Sequence, residues 1–193
     1  MKQIAIFCGS SKGSLPIYME AAFSIGQKLT KRKIGIVYGG AAVGLMGAVA
    51  DGALSEGGNV IGVLPIFLKE KEIEHTRLSE LILTSSMHER KAKMLELCDG
   101  VIALPGGFGT LEELFEVLTW AQLGLHHKPI GILNLNGFYD HLLQLLEHMV
   151  AEGFLKGVNK NMLLVSTQID SLLDQMDQYQ APKISKWINE KTV

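Results

Sequence analysis

The sequence predicts an α/β fold of Rossmann-like, doubly wound type: a mostly parallel sheet with helices on both faces. Three observations carry that expectation. Short runs rich in Ile, Val and Leu alternate with longer helical patterns along the chain. The short runs are apolar throughout, which is how strands read when both of their faces are covered. Polar or glycine-bearing turns follow several of the runs directly, as in strand-to-helix connections.

Taken in order, Ile4–Cys8 is the first strand and Gly9–Ser14 its turn. Pro16 suits the first turn of a helix that reaches about Lys31. Ile34–Tyr38 is a second strand, ending in Gly39–Gly40. Leu45–Ser55 is a helix closed by Gly57–Gly58, and Val60–Leu64 a third strand stopped by Pro65. Lys69–Ser79 is charged and unpatterned and reads as an exposed connection. Leu81–Thr84 is a short strand before the helix Met87–Leu97. Val101–Leu104 is a buried strand, and in the helix Thr110–Leu123 the residues Leu111, Leu114, Phe115, Leu118 and Ala121 share one face. Ile130–Leu133, Tyr139–Ala151, Leu163–Val165 and Ile169–Tyr179 complete the alternation.

A chain of 193 residues fits one large α/β domain, placed at 1–181, with a polar tail at 182–193 carrying one anchor, Trp187. Hydrophobic residues at 47% and charged residues at 20% are the balance of an ordinary soluble protein. A formal net charge of −2 excludes a general attraction to nucleic acid or anionic membrane, so any phosphate binding must be local. Cys8 and Cys98 form no CxxC pair and read as buried thiols of a reducing compartment. The first residues run straight into a strand, and no apolar stretch approaches the roughly 20 residues of a membrane span, so a cytoplasmic location is expected.

In a doubly wound sheet, ligands bind beyond the C-terminal strand ends where the winding reverses. The segment Leu104–Glu113 (LPGGFGTLEE) lies in such a place, after a buried strand and at the start of a helix. Gly106, Gly107 and Gly109 can take positive φ and let backbone N–H groups approach an anion without a Cβ in the way. Thr110 can cap the helix, whose first turn then offers free N–H groups and a partial positive charge. A tight turn packed for its own sake is the competing account. The spacing is neither G-x-G-x-x-G nor G-x-x-x-x-G-K-[ST], which disfavours dinucleotides and P-loop chemistry.

PGGFGTLEE resembles the P-G-G-x-G-T-x-x-E signature of the LOG (Lonely Guy) family, formerly labelled lysine decarboxylases. MHERK (Met87–Lys91) is similar to its second signature, and the spacing from Arg90 to Glu113 is the family's. Tyr38–Gly47 and Thr119–Gly131 resemble two further blocks, so the likeness extends to about Phe154. It implies a Rossmann-like homodimer that hydrolyses cytokinin riboside 5′-monophosphates to free base and ribose 5-phosphate, without a cofactor or metal. No lysine sits in a recognisable pyridoxal phosphate motif. Ala41 departs from the pattern, standing where many members carry a third glycine.

By the resemblance, Arg90 and Glu113 are the catalytic pair. Glycosidic cleavage passes through an oxocarbenium-like state that a carboxylate stabilises while activating or orienting water. Arg90 can fork onto phosphate or ribose oxygens, or pair with Glu113 and keep it ionised. Solvated first-turn acids are the bland account of Glu112 and Glu113. The substrate contacts expected are Ser10, Gly39, Gly40, Glu72, Lys91, Gly106, Gly107, Phe108, Gly109, Thr110, Leu111, Glu112 and Thr119. For Ser10 a simple turn, for Glu72 and Lys91 solvation, and for Thr119 packing are the alternatives. Apolar faces on Met87–Leu97 (Met94, Leu95) and Thr110–Leu123 (Phe115, Leu118, Trp120, Leu123) suit a dimer surface, or merely the monomer's core. A non-catalytic nucleotide-binding or carrier protein on the same fold needs the loop but neither Arg90 nor Glu113.

Overall fold

The computed structural model describes residues 1–69 and 74–182, and the expected tail anchor Trp187 lies outside them. Among the described residues the strands are β1 (Gln3–Phe7), β2 (Gly35–Tyr38), β3 (Val60–Pro65), β4 (Glu80–Thr84), β5 (Gly100–Ala103), β6 (Ile130–Leu133) and β7 (Leu163–Ser166). The helices are α1 (Pro16–Lys31), α2 (Gly44–Ser55), the short α3 (Ile66–Lys69), α4 (Met87–Leu97), α5 (Phe108–Gln122), α6 (Asp140–Ala151), the short α7 (Gly157–Lys160) and α8 (Ile169–Gln178).

All neighbouring strands run parallel, in the order β4-β3-β2-β1-β5-β6-β7. The chain steps outward from β1 to β4, returns beside β1 with β5, and steps outward the other way. Ile4 therefore sits opposite Ile36 on one side and Gly100 on the other. Crossovers of one hand that travel in opposite directions cover opposite faces. The first core holds Ile4, Ile6, Ile36 and Tyr38 under α1, α2 and α8; the second holds Ala5, Phe7 and Val37 under α4, α5 and α6. Alternate residues of each central strand feed alternate cores, so no position of β1 from Ile4 onward is free to be polar.

Where α1 and α2 cross, backbone meets backbone. A Cβ on Gly26 would lie 2.1 Å from the Val49 carbonyl oxygen, and one on Gly52 2.0 Å from that of Phe23. The connection expected to be exposed at Lys69–Ser79 is only partly so. The Glu74 backbone bridges to Ala41, and the His75 N–H donates to the Gly40 carbonyl at 3.0 Å with its ring buried. The ring takes a hydrogen bond from the Arg77 N–H and reaches Asp51 at 3.2 Å, which is how a polar residue is held inside. No helix of the described residues is long and apolar enough to cross a membrane.

Candidate active site

Between β1 and β5 the winding reverses and the loops that follow diverge. They stay joined at their bases, where the Gly9 N–H donates to the Pro105 carbonyl at 3.0 Å. Above that seam lies a cavity of about 570 Å³. Its sides come from Ser10 and Ser11 after β1, Gly39 after β2, Arg90 on α4, and the run Pro105–Thr110.

The glycine loop meets the expectation only in part. Helix α5 begins at Phe108, two residues before Thr110, with Gly107 as its N-cap in an extended conformation (φ −95°, ψ −153°) and no side-chain cap. Neither Gly106, Gly107 nor Gly109 has positive φ. What these glycines supply is room. A Cβ on Gly106 would lie 2.1 Å from Thr110 Oγ1 and 2.9 Å from the Gly9 nitrogen, whereas Gly107 and Gly109 face open space. Thr110 is thus a buried floor under the loop, not a cap. The first amide bond within the helix runs from Leu111 to the Gly107 carbonyl, leaving the N–H groups of Phe108, Gly109 and Thr110 ahead of the intrahelical ladder. Unpaired N–H groups at the start of a helix, together with its dipole, suit an anion, and these lie at the cavity's rim.

Helix α4 is started by Ser86, whose hydroxyl accepts from the Glu89 N–H at 3.2 Å, while Glu89 Oε2 accepts from the Ser85 N–H at 2.7 Å. One residue further on, Arg90 turns inward and is buried. Its Nε donates to the Val63 carbonyl within β3 (3.1 Å), and its Nη1 stands 3.6 Å from Glu113 Oε1. Gly39 is what allows this, since a Cβ there would lie 2.2 Å from Arg90 Nη2. The guanidinium is therefore aimed by the sheet, with one edge held and the other presented to the cavity and to Glu113.

Glu113 is 9% exposed, and burial pushes its carboxyl from an ordinary 4.5 up to about 7. Arg90 opposes the rise, Glu112 adds to it, Lys91 opposes and Glu116 adds. Arg90 thus does not keep Glu113 fully ionised: at 3.6 Å and without a short charged hydrogen bond it offsets only part of the desolvation. Near neutrality the group can both take and give a proton. Cys8 also lines the cavity; burial first, then the Glu113 charge, pushes its thiol far above the ordinary range, so it is no nucleophile.

Of the residues expected in the site, Arg90, Glu113, Ser10 and Gly39 line this one cavity. So do Gly106, Gly107, Phe108, Gly109, Thr110 and Glu112. Gly40, Lys91, Leu111 and Thr119 do not. Gly40 takes a left-handed φ of 84° and packs on Leu64 and Leu81. Lys91 is buried against Glu112 and Glu116, the latter at 3.0 Å. Leu111 packs into the second core, and the exposed Thr119 donates its hydroxyl to the Phe115 carbonyl of its own helix at 2.7 Å. Glu72 lies outside the described residues. The cavity also draws in Tyr18, Met46, Met87 and Phe138, which the sequence reading passed over. Two of them could have been found by the strand-end rule: Met87 begins the helix after β4, and Phe138 follows β6.

Ala41 fits without strain. The left-handed positions of its loop fall at Gly40 and Gly44, and at Gly44 a Cβ would lie 2.3 Å from the Ser10 carbonyl.

A family model described as "Possible lysine decarboxylase" matches residues 46–176. The chain is 45% identical over 179 residues to cytokinin riboside 5′-monophosphate phosphoribohydrolase LOG7 of Arabidopsis thaliana, covering 93% of this chain and 82% of that one. It is 41% identical over 197 residues to LOG5 of the same plant and name, covering 100% and 86%. In fold it is similar to the molybdenum cofactor binding protein from the phototrophic bacterium Rippkaea orientalis, with a TM-score of 0.69 at 22% identity over 91% of this chain and 95% of that one. That last likeness concerns the architecture alone. With both sequence relatives matched across nearly the whole chain, and with the two signatures meeting in one cavity, the protein belongs to the LOG family.

Proposed function

We propose that the protein hydrolyses the N-glycosidic bond of nucleoside 5′-monophosphates, N6-modified adenosine 5′-monophosphates in particular, to free base and ribose 5-phosphate. The observation that carries this reading is the position of Glu113, one helical turn beyond an anion-binding helix start and 3.6 Å from Arg90. A phosphate on the N–H groups of Phe108–Thr110 lets the ribose reach inward to Glu113. As the C1′–N bond breaks, its electron pair leaves with the base, which takes a proton from solvent, and the ionised Glu113 stabilises positive charge at C1′ and later returns the proton of the attacking water to solvent. Water then adds to C1′ and gives its proton to Glu113. Arg90 holds phosphate or ribose oxygens in a fixed fork. No cofactor takes part.

Decarboxylation of lysine on pyridoxal phosphate needs a Schiff-base lysine, and no lysine is among the described residues lining the cavity. The same reading includes a cytoplasmic homodimer of single-domain subunits. Phe115 on α5 and Leu125 beyond it remain 36% and 49% exposed, surface that a second copy would cover. Light scattering should give twice the 21.1 kDa of one chain.

The test is to incubate pure protein with AMP, N6-prenylated AMP and the matching nucleosides, and to resolve base and ribose 5-phosphate by chromatography. Base released from the monophosphates and not from the nucleosides is expected. Nucleotide bound without any base released would make the protein a carrier instead, and equal rates on nucleosides would remove the anion site from the mechanism.

A further inference from the structure

Glu113 sits inside a ring of charge. Arg90 and Lys91 face it from α4, Glu112 and Glu116 flank it on α5, and the neutral Cys8 thiol lies beyond β1. Glu112 and Glu116 are one turn apart, a like-charge spacing that disfavours a helix when left alone. Lys91 sits between them. Its side chain is 6% exposed, its ammonium is hydrogen-bonded to Glu112, and it donates to Glu116 Oε1 at 3.0 Å. The other oxygen of Glu116 is buried and accepts no hydrogen bond from the described residues, so Lys91 is the charge that compensates it. Burial alone would lower the Lys91 ammonium, but the bonds to Glu112 and Glu116 outweigh that and hold it above its ordinary value.

We propose that Lys91 is a positioning residue for Glu113: its ammonium, buried between Glu112 and Glu116, neutralises the two carboxylates that flank Glu113 and fixes that turn of α5 against α4. This assigns Lys91 a task toward the carboxylates of α5, beside which its ammonium lies, whereas it is not among the residues lining the cavity. The inference rests on the proposed hydrolysis only for its kinetic readout. Of the four charged neighbours of Glu113, two are positive and two negative, and removing Lys91 leaves the negative pair in excess. Glu113 then holds its proton more tightly, and a base that must be ionised is lost on the acid side.

The test compares Lys91→Met, Glu116→Gln and the double variant. Lys91→Met should move the Glu113 titration upward by about one pH unit, so that kcat at pH 6 falls up to about tenfold while KM changes less than about twofold. Adding Glu116→Gln removes one excess negative charge and should bring the titration most of the way back. Glu116→Gln alone keeps Lys91 paired with Glu112 and should move it downward, which carries the test even if Lys91→Met does not fold. The titration is read by carboxyl ¹³C NMR without substrate, the Glu113 signal being the one absent from Glu113→Gln. A protein that hydrolyses nothing still answers the question. An unmoved titration in Lys91→Met and Glu116→Gln overturns the proposal, as does a raised KM with kcat intact, which would return Lys91 to substrate contact.

Discussion

Replacing Glu113 by glutamine keeps the shape of the side chain and removes its titration, which separates what burial does to stability from what it does for chemistry. In the folded protein the carboxyl is raised from 4.5 to about 7, so the native state binds this proton more tightly than the unfolded chain. The sign follows: the group favours folding below pH 4.5, and that contribution is lost as the pH rises through 7. Over that interval the wild-type protein loses about 3 kcal/mol relative to a side chain that cannot ionise. The glutamine variant should therefore gain on the wild type by up to about 3 kcal/mol between pH 4.5 and pH 8. The attraction of Arg90 acts only on the ionised carboxylate and is already contained in the value of about 7, so the slope of the difference, not its height, is diagnostic. Urea denaturation of both proteins across that range measures it. Turnover should fall by about 10² or more. A flat difference curve would refute the buried-carboxyl argument, and unchanged turnover would remove Glu113 from the chemistry. Glu112→Gln, at a side chain 55% exposed, should change both the pH slope and the turnover far less.

Arg90→Lys should impair turnover strongly although the charge is kept, because an ammonium cannot hold the Val63 carbonyl and fork toward the cavity together; kinetics with Arg90→Ala beside it, and full activity in the lysine variant, would decide against this. Gly106→Ala should destabilise by about 1–3 kcal/mol, since its Cβ meets Thr110 and the Gly9 backbone. Gly107→Ala should leave the melting temperature nearly unchanged yet raise KM, because its Cβ enters only open space, that of the proposed phosphate site; equal effects at the two glycines would contradict the loop geometry.

Much of the fold was legible because the central strands are buried on both faces and leave an unbroken apolar record. The edge strand β4, half exposed, left a weaker one, yet the short run Leu81–Thr84 sufficed. Helix α5 starts before its expected first residue because Phe108 and Gly109 carry no helical signal; Phe108 is 93% exposed and packs on nothing. The loop after α3 read as solvated because its charges hide the partners that bury His75, and Asp51 is far away in sequence. In the site, residue types at strand ends marked the cavity well. The side chain directions did not follow: Arg90 and Lys91 are adjacent, yet one faces the cavity and the other the carboxylates of α5. That difference is set by the partner each side chain finds, the Val63 carbonyl of β3 for Arg90 and the Glu112 and Glu116 carboxylates for Lys91, which no spacing within MHERK encodes. The glycines of PGGFG were legible as necessary for their lack of Cβ, but the left-handed backbone also expected of them is not adopted.

The hydrogen bond from Gly9 to Pro105 joins the two outward-winding halves of the sheet between β1 and β5, the one pair of neighbouring strands in the described sheet that are not consecutive in the chain. During synthesis the half holding β1–β4 leaves the ribosome with one flank of β1 bare and only half of the pocket formed. The seam closes only when β5 arrives, and the anion site arrives with it on α5. A ligand spanning Ser10 and the start of α5 therefore clamps the halves together, and hydrogen exchange should slow in β1 and β5 jointly when it binds. The same geometry makes the occupied pocket a latch on the whole sheet.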